Sequence, residues 1–205
     1  MSSILFEIKN AVAYITLNRP EKFNSFNREM ALLMQAKLDE AASLHEVRAV
    51  CITGAGKAFC AGQDISELVG DNKVGIAQIL SEHYNPIVKR IRNMPKPVIA
   101  AVNGVAAGAG ANIALCCDVV LATASASFIQ AFSKIGLIPD SGGTYTLPRL
   151  IGWQKASALI VELSFIFLIY PFTRFSKSQT RINPSSPPVA ITLFLLSKAI
   201  VLIKP

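Results

Sequence analysis

Apolar positions along this chain follow two rhythms, and the rhythms take turns. Ile4 to Ile8 and Val12 to Leu17 alternate or run apolar around Lys9-Asn10-Ala11, the pattern of a β-hairpin. Asn18-Arg19-Pro20 stops the second strand. Asn27 can then cap a helix whose apolar positions Met30, Leu33, Met34, Leu38 and Ala41 fall at helical spacing. Val47 to Thr53 reads as a buried strand closed by Gly54-Ala55-Gly56. Lys57 to Leu68 is small and apolar at first, with a helix start at Asp64 or Ser66, and a looser segment, Val69 to Val74, follows. A helix from Gly75 to Arg92 ends at Asn93-Met94-Pro95-Lys96-Pro97.

The most informative stretch is Val98 to Thr144. The apolar run Val98-Ile99-Ala100-Ala101-Val102 enters Asn103-Gly104 and then a segment of Gly and Ala, which reads as a buried strand, a tight turn and a helix. Small residues at Gly108, Ala109, Gly110 and Ala111 would let a ligand approach the backbone closely. N–H groups at a helix start are oriented to hold negative charge. Asp118 to Ala122 and Ser127 to Ile129 read as short strands and Pro139 to Gly143 as a turn. Thr144 to Leu150 begins a helix with Pro148 near a kink or helix junction. Strands and helices alternate, so the expected class is α/β with mostly parallel central strands.

Composition sharpens this picture at a few points. The 205 residues are 52% hydrophobic and 16% charged, which describes a globular chain long enough for one domain with a sizeable core. All 13 acidic residues lie between Glu7 and Glu162, so residues 1–162 carry a net +2 and the last 43 supply the other +5 of the total of +7. No basic cluster with interleaved aromatics occurs in the body, and a nucleic-acid partner is not expected. Cys51, Cys60, Cys116 and Cys117 have neither metal-ligand spacing nor the density of a secreted scaffold. Reduced thiols in a cytoplasmic protein, with Cys116-Cys117 in the core, are the expectation. The first residues show no basic and apolar leader, and no export is expected.

Two glycine-rich stretches, 54–62 and 104–110, follow strands and invite comparison with nucleotide loops. Gly54-Ala55-Gly56-Lys57 lacks Walker spacing and has Ala58 where a hydroxyl should bind magnesium, so small-residue turns are the better account. Taken in order, LNRPEKFNSF (17–26), VCITGAGKAFCAGQDI (50–65), PKPVIAAVNGVAAGAGANIALCCDVVLA (95–122) and FSKIGLIPDSGGTYTLPRLIG (132–152) resemble the crotonase (enoyl-CoA hydratase/isomerase) superfamily. The resemblance runs from residue 4 to about 160. It implies a spiral of ββα units that binds an acyl-CoA thioester, with coenzyme A as part of the substrate and no separate cofactor or metal. It also implies homotrimers or hexamers, which the unusual C-terminal part puts in question.

Carried over by residue, the resemblance places two oxyanion donors at the backbone N–H groups of Gln63 and Ala109. Ala61, Gln63, Asp64, Ile65, Ser66 and Ala109 would line the substrate groove. Asp64 reads equally as a helix cap. The two glutamates with which the hydratases activate water and protonate carbon fall at Asn112 and Phe132 here, and neither side chain can exchange a proton with water. Asp140, taken alone a turn or cap carboxylate, stands where the dienoyl-CoA and epoxyphenylacetyl-CoA isomerases place a catalytic aspartate. Within the superfamily, FCAGQD (59–64), HYNPIVKRI (83–91), GVAAGAGA and GLIPDSGGT resemble the epoxyphenylacetyl-CoA isomerases of phenylacetate breakdown. His83 and Tyr84, on a helix with Ile87 and Ile91, read as packing and surface residues.

The expected activity is therefore an acyl-CoA isomerase, shifting a double bond or expanding an epoxyphenyl ring through a thioester enolate, in phenylacetate or fatty acid metabolism. The alternatives are a truncated non-catalytic fragment and an enoyl-CoA hydratase. Two regions are expected: a spiral core over 1–162 and a tail over 163–205 that departs from the family. The tail holds no acid, carries Asn183-Pro184-Ser185-Ser186-Pro187-Pro188, and reads as a frameshifted or read-through end. Its apolar runs, Leu163 to Phe172 and Val189 to Ile203, fall short of the roughly 20 residues a membrane span needs.

Overall fold

The computed structural model describes residues 2–69, 74–161 and, as backbone, 199–203. Strands β1 (Ile4–Lys9) and β2 (Val12–Leu17) form the expected hairpin, with Lys9 opposite Val12. Asn10 and Ala11 both take positive φ in the two-residue turn, the conformation that matches the twist of the flanking strands. Helix α1 (Arg28–Ser43) starts where expected, the Asn27 side chain accepting from the Met30 N–H at 3.0 Å, and buries Met30, Ala31, Met34, Leu38 and Ala41.

From β3 onward the chain repeats one unit: a long strand, a short strand, then helix. β3 (Ala49–Gly54) is followed by β4 (Ala58–Cys60), β5 (Val98–Val102) by β6 (Val105–Ala107), and β7 (Val119–Thr123) by β8 (Ser127–Ile129). β2, β3, β5 and β7 run parallel in one sheet of order β1-β2-β3-β5-β7-β9, whose outer strands are antiparallel, and the short strands run parallel in a second, β4-β6-β8. This is the crotonase-like spiral. β9 (Ala199–Ile203) lies antiparallel on β7, and the rest of the expected tail, like 70–73 of the expected looser segment, is outside the described residues. Among the described residues no helix is long and apolar enough to cross a membrane.

Two short strands depart from expectation. β4 sits where Lys57 to Leu68 reads as an approach to a helix, and β6 intervenes between the Asn103-Gly104 turn and its helix, which begins only at Ala109. Three-residue strands of Ala, Phe, Cys and Val carry too little periodicity to announce themselves. The helix expected over Gly75 to Arg92 is α2 (Ile76–Ile79) and α3 (Asn85–Asn93), joined by a π-helical turn, Leu80–Tyr84. α4 (Ala109–Cys116), α5 (Gly143–Ile151) and α6 (Trp153–Val161) complete the described helices, with Gly152 at the junction that Pro148 foreshadowed.

The glycines of the central motif answer first to the fold. Every residue of α4 is buried, and a Cβ on Gly110 would overlap the Cys60 carbonyl oxygen and come within 2.7 Å of the Cys60 side chain. Gly110 and Ala111 therefore bring α4 against β4. The ligand approach expected of the whole small-residue run belongs to Gly108 and Ala109. Gly110→Ala gains helix propensity of about 1 kcal/mol, but the overlap is with backbone that cannot swing away. A net loss of about 2–3 kcal/mol in urea denaturation is expected.

Candidate active site

Two peptide units are held so that their carbonyls are used by the protein and their N–H groups are not. The Phe26 N–H donates to the Gly62 carbonyl at 2.7 Å, and the Asp64 N–H donates back to the Phe26 carbonyl at 2.8 Å, an isolated parallel bridge centred on Gln63. In a trans peptide the N–H points opposite to the carbonyl, so the Gln63 N–H is turned away from Phe26. At the start of α4 the Gly108 carbonyl accepts from the Asn112 N–H at 3.1 Å, which turns the Ala109 N–H outward from the helix. No backbone carbonyl among the described residues accepts from Gln63 or Ala109. Gly62 and Gly108, at φ +93 and +52, supply the positive φ that both turns require. A Cβ on Gly62 would stand 3.5 Å from the Ala109 nitrogen, so the two units are neighbours.

Both face a cavity of about 220 Å3. Its walls are mainly apolar, with Ile65, Leu68, Ile79, Phe132, Ile135 and Leu137 among the lining residues. Asp140 is the one acid that lines it among the described residues. Of the residues expected in the site, the structure brings together Ala61, Gln63, Ile65, Ala109 and Asp140. Asp64 and Ser66 do not line the cavity. The Asp64 carboxylate accepts from the Ser66 N–H and hydroxyl at 3.1 and 2.7 Å and pairs with Arg19 at 2.8 Å. Burial pushes its pKa up, but the hydrogen bonds from Arg19 and Ser66 and the guanidinium charge outweigh that, leaving it below the usual range. Asp64 thus caps the 3-10 turn Ile65–Glu67 and fastens it to the loop after β2.

Asp140 sits in the turn before α5, and burial raises its pKa to about 6, with the nearby Ser141 hydroxyl and the local backbone acting the other way. Its Oδ1 is buried with no hydrogen-bond partner. Asn112, at the position of a hydratase glutamate, is fully buried and does not reach the cavity. Its amide donates to the Asp140 carbonyl at 3.0 Å and accepts from Gln130 at 3.1 Å, so it braces the turn that carries Asp140. Phe132, at the other glutamate position, forms part of the apolar wall.

Sequence reasoning missed two polar groups here. Gln130 lines the cavity at the end of β8, and Tyr84 lines it from the π-helical turn. His83 and Tyr84 are both buried, and neither is a surface residue. Only a five-residue step from Ile79, in place of the usual three or four, would have brought Tyr84 onto the buried stripe with Ile87 and Ile91.

The enoyl-CoA hydratase/isomerase family model matches residues 7–163, and the chain belongs to that family. It is 47% identical over 162 residues to the 1,2-epoxyphenylacetyl-CoA isomerase of Escherichia coli, an alignment covering 78% of this chain and 62% of that protein. It is 46% identical over 157 residues to the "Probable enoyl-CoA hydratase" of Rhodobacter capsulatus, covering 77% and 60%. Among solved structures, an enoyl-CoA hydratase from Mycobacterium avium subsp. paratuberculosis superposes with a TM-score of 0.72 at 35% identity, covering 79% of this chain and 64% of that one. The chain spans about three fifths of the length of the curated relatives it matches.

The raised pKa of Asp140 carries a stability consequence. The folded state holds this proton more tightly than the unfolded state, so the contribution of Asp140 is most favourable below about pH 4 and is lost as pH rises through about 6. Asp140→Asn removes that charge. Its stability relative to the parent should improve by up to about 3 kcal/mol at pH 8, from a shift of about two units, and the gain should vanish near pH 4. Paired urea titrations at the two pH values measure it.

Proposed function

We propose that this chain is an acyl-CoA isomerase in which Asp140 moves a proton between two carbons of an apolar acyl group while the N–H groups of Gln63 and Ala109 stabilise the thioester enolate. The observation that carries the reading is the one carboxylate lining the apolar cavity among the described residues, with a raised pKa and beside two unused N–H donors. Each part has a physical role. For a 3-enoyl thioester, Asp140 takes a proton from the carbon next to the carbonyl. The electron pair spreads onto the thioester oxygen, where the N–H donors lower its energy, and onto the far carbon. Asp140 then returns the proton to the far carbon, giving the 2-enoyl thioester. No proton need pass to water, and no second carboxylate is required. Losing one donor of this kind typically costs about a hundred- to a thousandfold in rate.

The similarity to the epoxyphenylacetyl-CoA isomerase of Escherichia coli supports an isomerase, and ring expansion of an epoxyphenyl thioester is the second substrate this site would take. The names of hydratase relatives favour hydration as a competing activity. Against it stand Asn112, occupied in bracing Asp140, and Phe132, which has no proton to exchange.

The test is isomerisation of a 3-enoyl-CoA to the conjugated thioester, followed by absorbance, with crotonyl-CoA hydration measured alongside. Asp140→Ala should lower kcat by about a thousandfold, the scale of a lost general base, with acyl-CoA binding retained. Because the base must be ionised, kcat/KM should fall tenfold per unit below a midpoint near pH 6 and level off above about 7. Undiminished turnover at Asp140→Ala, or hydration faster than isomerisation, would overturn the proposal.

A further inference from the structure

The Gln63 side chain is held at both ends. Its Nε2 donates to Glu67 Oε2 at 2.7 Å, and its Oε1 accepts from the Tyr84 hydroxyl at 2.8 Å. The carboxylate can only accept, so it fixes which end of the amide is nitrogen, and the oxygen end is left for Tyr84. Glu67 is itself anchored, its Oε1 accepting from the Arg28 N–H at the start of α1 at 2.8 Å. The chain of contacts therefore runs from α1 through the 3-10 turn to Gln63 and on to the π-helical turn. Tyr84 is 1% exposed, with its ring edge-on to Phe26, the residue that bridges to Gln63 from the other side. Burial, with the Asp140 and Glu67 carboxylates adding to it, keeps its phenol neutral and available as a donor.

We infer that Tyr84 is a positioning residue for the Gln63 donor: its hydroxyl, delivered by the extra residue of the π-helical turn, locks the Gln63 side chain and so the angle of the Gln63 N–H toward the substrate oxygen. The inference rests on the isomerase reading for the identity of that oxygen. Phe26 fixes the peptide from the carbonyl side. Without Tyr84 only the Nε2 end stays tethered, to Glu67 at 2.7 Å and to the Asp64 carbonyl at 3.5 Å, and the oxygen end is released. Tyr84 is part of the cavity wall, but replacing only its hydroxyl keeps the ring in place there, so the effect falls on the developing enolate more than on ground-state binding.

Tyr84→Phe keeps the ring and removes one oxygen. It should lower kcat about tenfold, less than outright loss of a donor, with KM unchanged within twofold. Gln63→Met retains the backbone N–H and should give a similar loss. In the Gln63→Met background, Tyr84→Phe should then have no further effect, since the contact through which it acts is gone. The infrared carbonyl stretch of a bound acyl-CoA reports polarisation without turnover, and its shift to lower frequency should shrink in both variants. An unchanged kcat and carbonyl shift in Tyr84→Phe, or a full additive loss in the double variant, would overturn the inference. Its failure is distinct from that of the isomerase reading, in which the parent chain itself would neither isomerise the 3-enoyl thioester nor polarise the bound carbonyl.

Discussion

A peptide bond is planar, and what binds its carbonyl decides where its N–H must point. The site depends on that constraint twice. Phe26 takes the Gly62 carbonyl and the first turn of α4 takes the Gly108 carbonyl, so two N–H groups are left over on neighbouring backbone facing one cavity. The rest of the architecture serves to hold these two peptides in register. β4 and β6 are adjacent strands of the small sheet, and each leads into one of the two peptides. Gly110 lets α4 close onto Cys60. Asn24, buried with hydrogen bonds to the Ala55 and Ala58 carbonyls, and Arg19, paired with Asp64, fasten the loop after β2 to the same region. Unpaired N–H groups are a cost in a folded protein, and these two lie where the chain borders the cavity.

Asp140 shows a second cost of the same kind. A carboxylate in an apolar wall with one oxygen unpartnered is held against its preference for water. The Asn112–Gln130 amide pair supports its backbone and offers its carboxylate nothing. The turn is thus stiff while the acid it carries is left unpaired, a division of labour that suits the proton-transfer role proposed for it.

Much of this was legible in the sequence, for physical reasons that differ by element. The hairpin, α1 with its Asn27 cap, and the central strands followed from periodicity and capping. The short strands β4 and β6 did not, because three residues cannot show a period, and their pairing is long-range. The placement of Ala61, Gln63, Ile65, Ala109 and Asp140 around one cavity came from motif resemblance and could not have come from spacing alone. Asp64 was ambiguous between cap and ligand, and the nearness of Arg19, 45 residues earlier, was invisible. Tyr84 and Gln130 were missed because one sits in a helix that changes its winding and the other lies just past β8, where no local pattern marks a cavity wall.

The π-helical turn has an implication for how such a site can change. With one residue fewer between Leu80 and His83, Ile79, Tyr84, Ile87 and Ile91 would stand four, three and four apart, the step of an ordinary α-helix. The turn holds one residue more than an α-helix would need there, absorbed without breaking the apolar stripe. Loss of a single codon would therefore leave a sound helix and a nearly intact core, while altering how the chain arrives at the phenol that grips Gln63. On the role inferred for Tyr84, rate and architecture are separable at this point in the gene, and selection has a place to retune the proposed donor without rebuilding the fold around it.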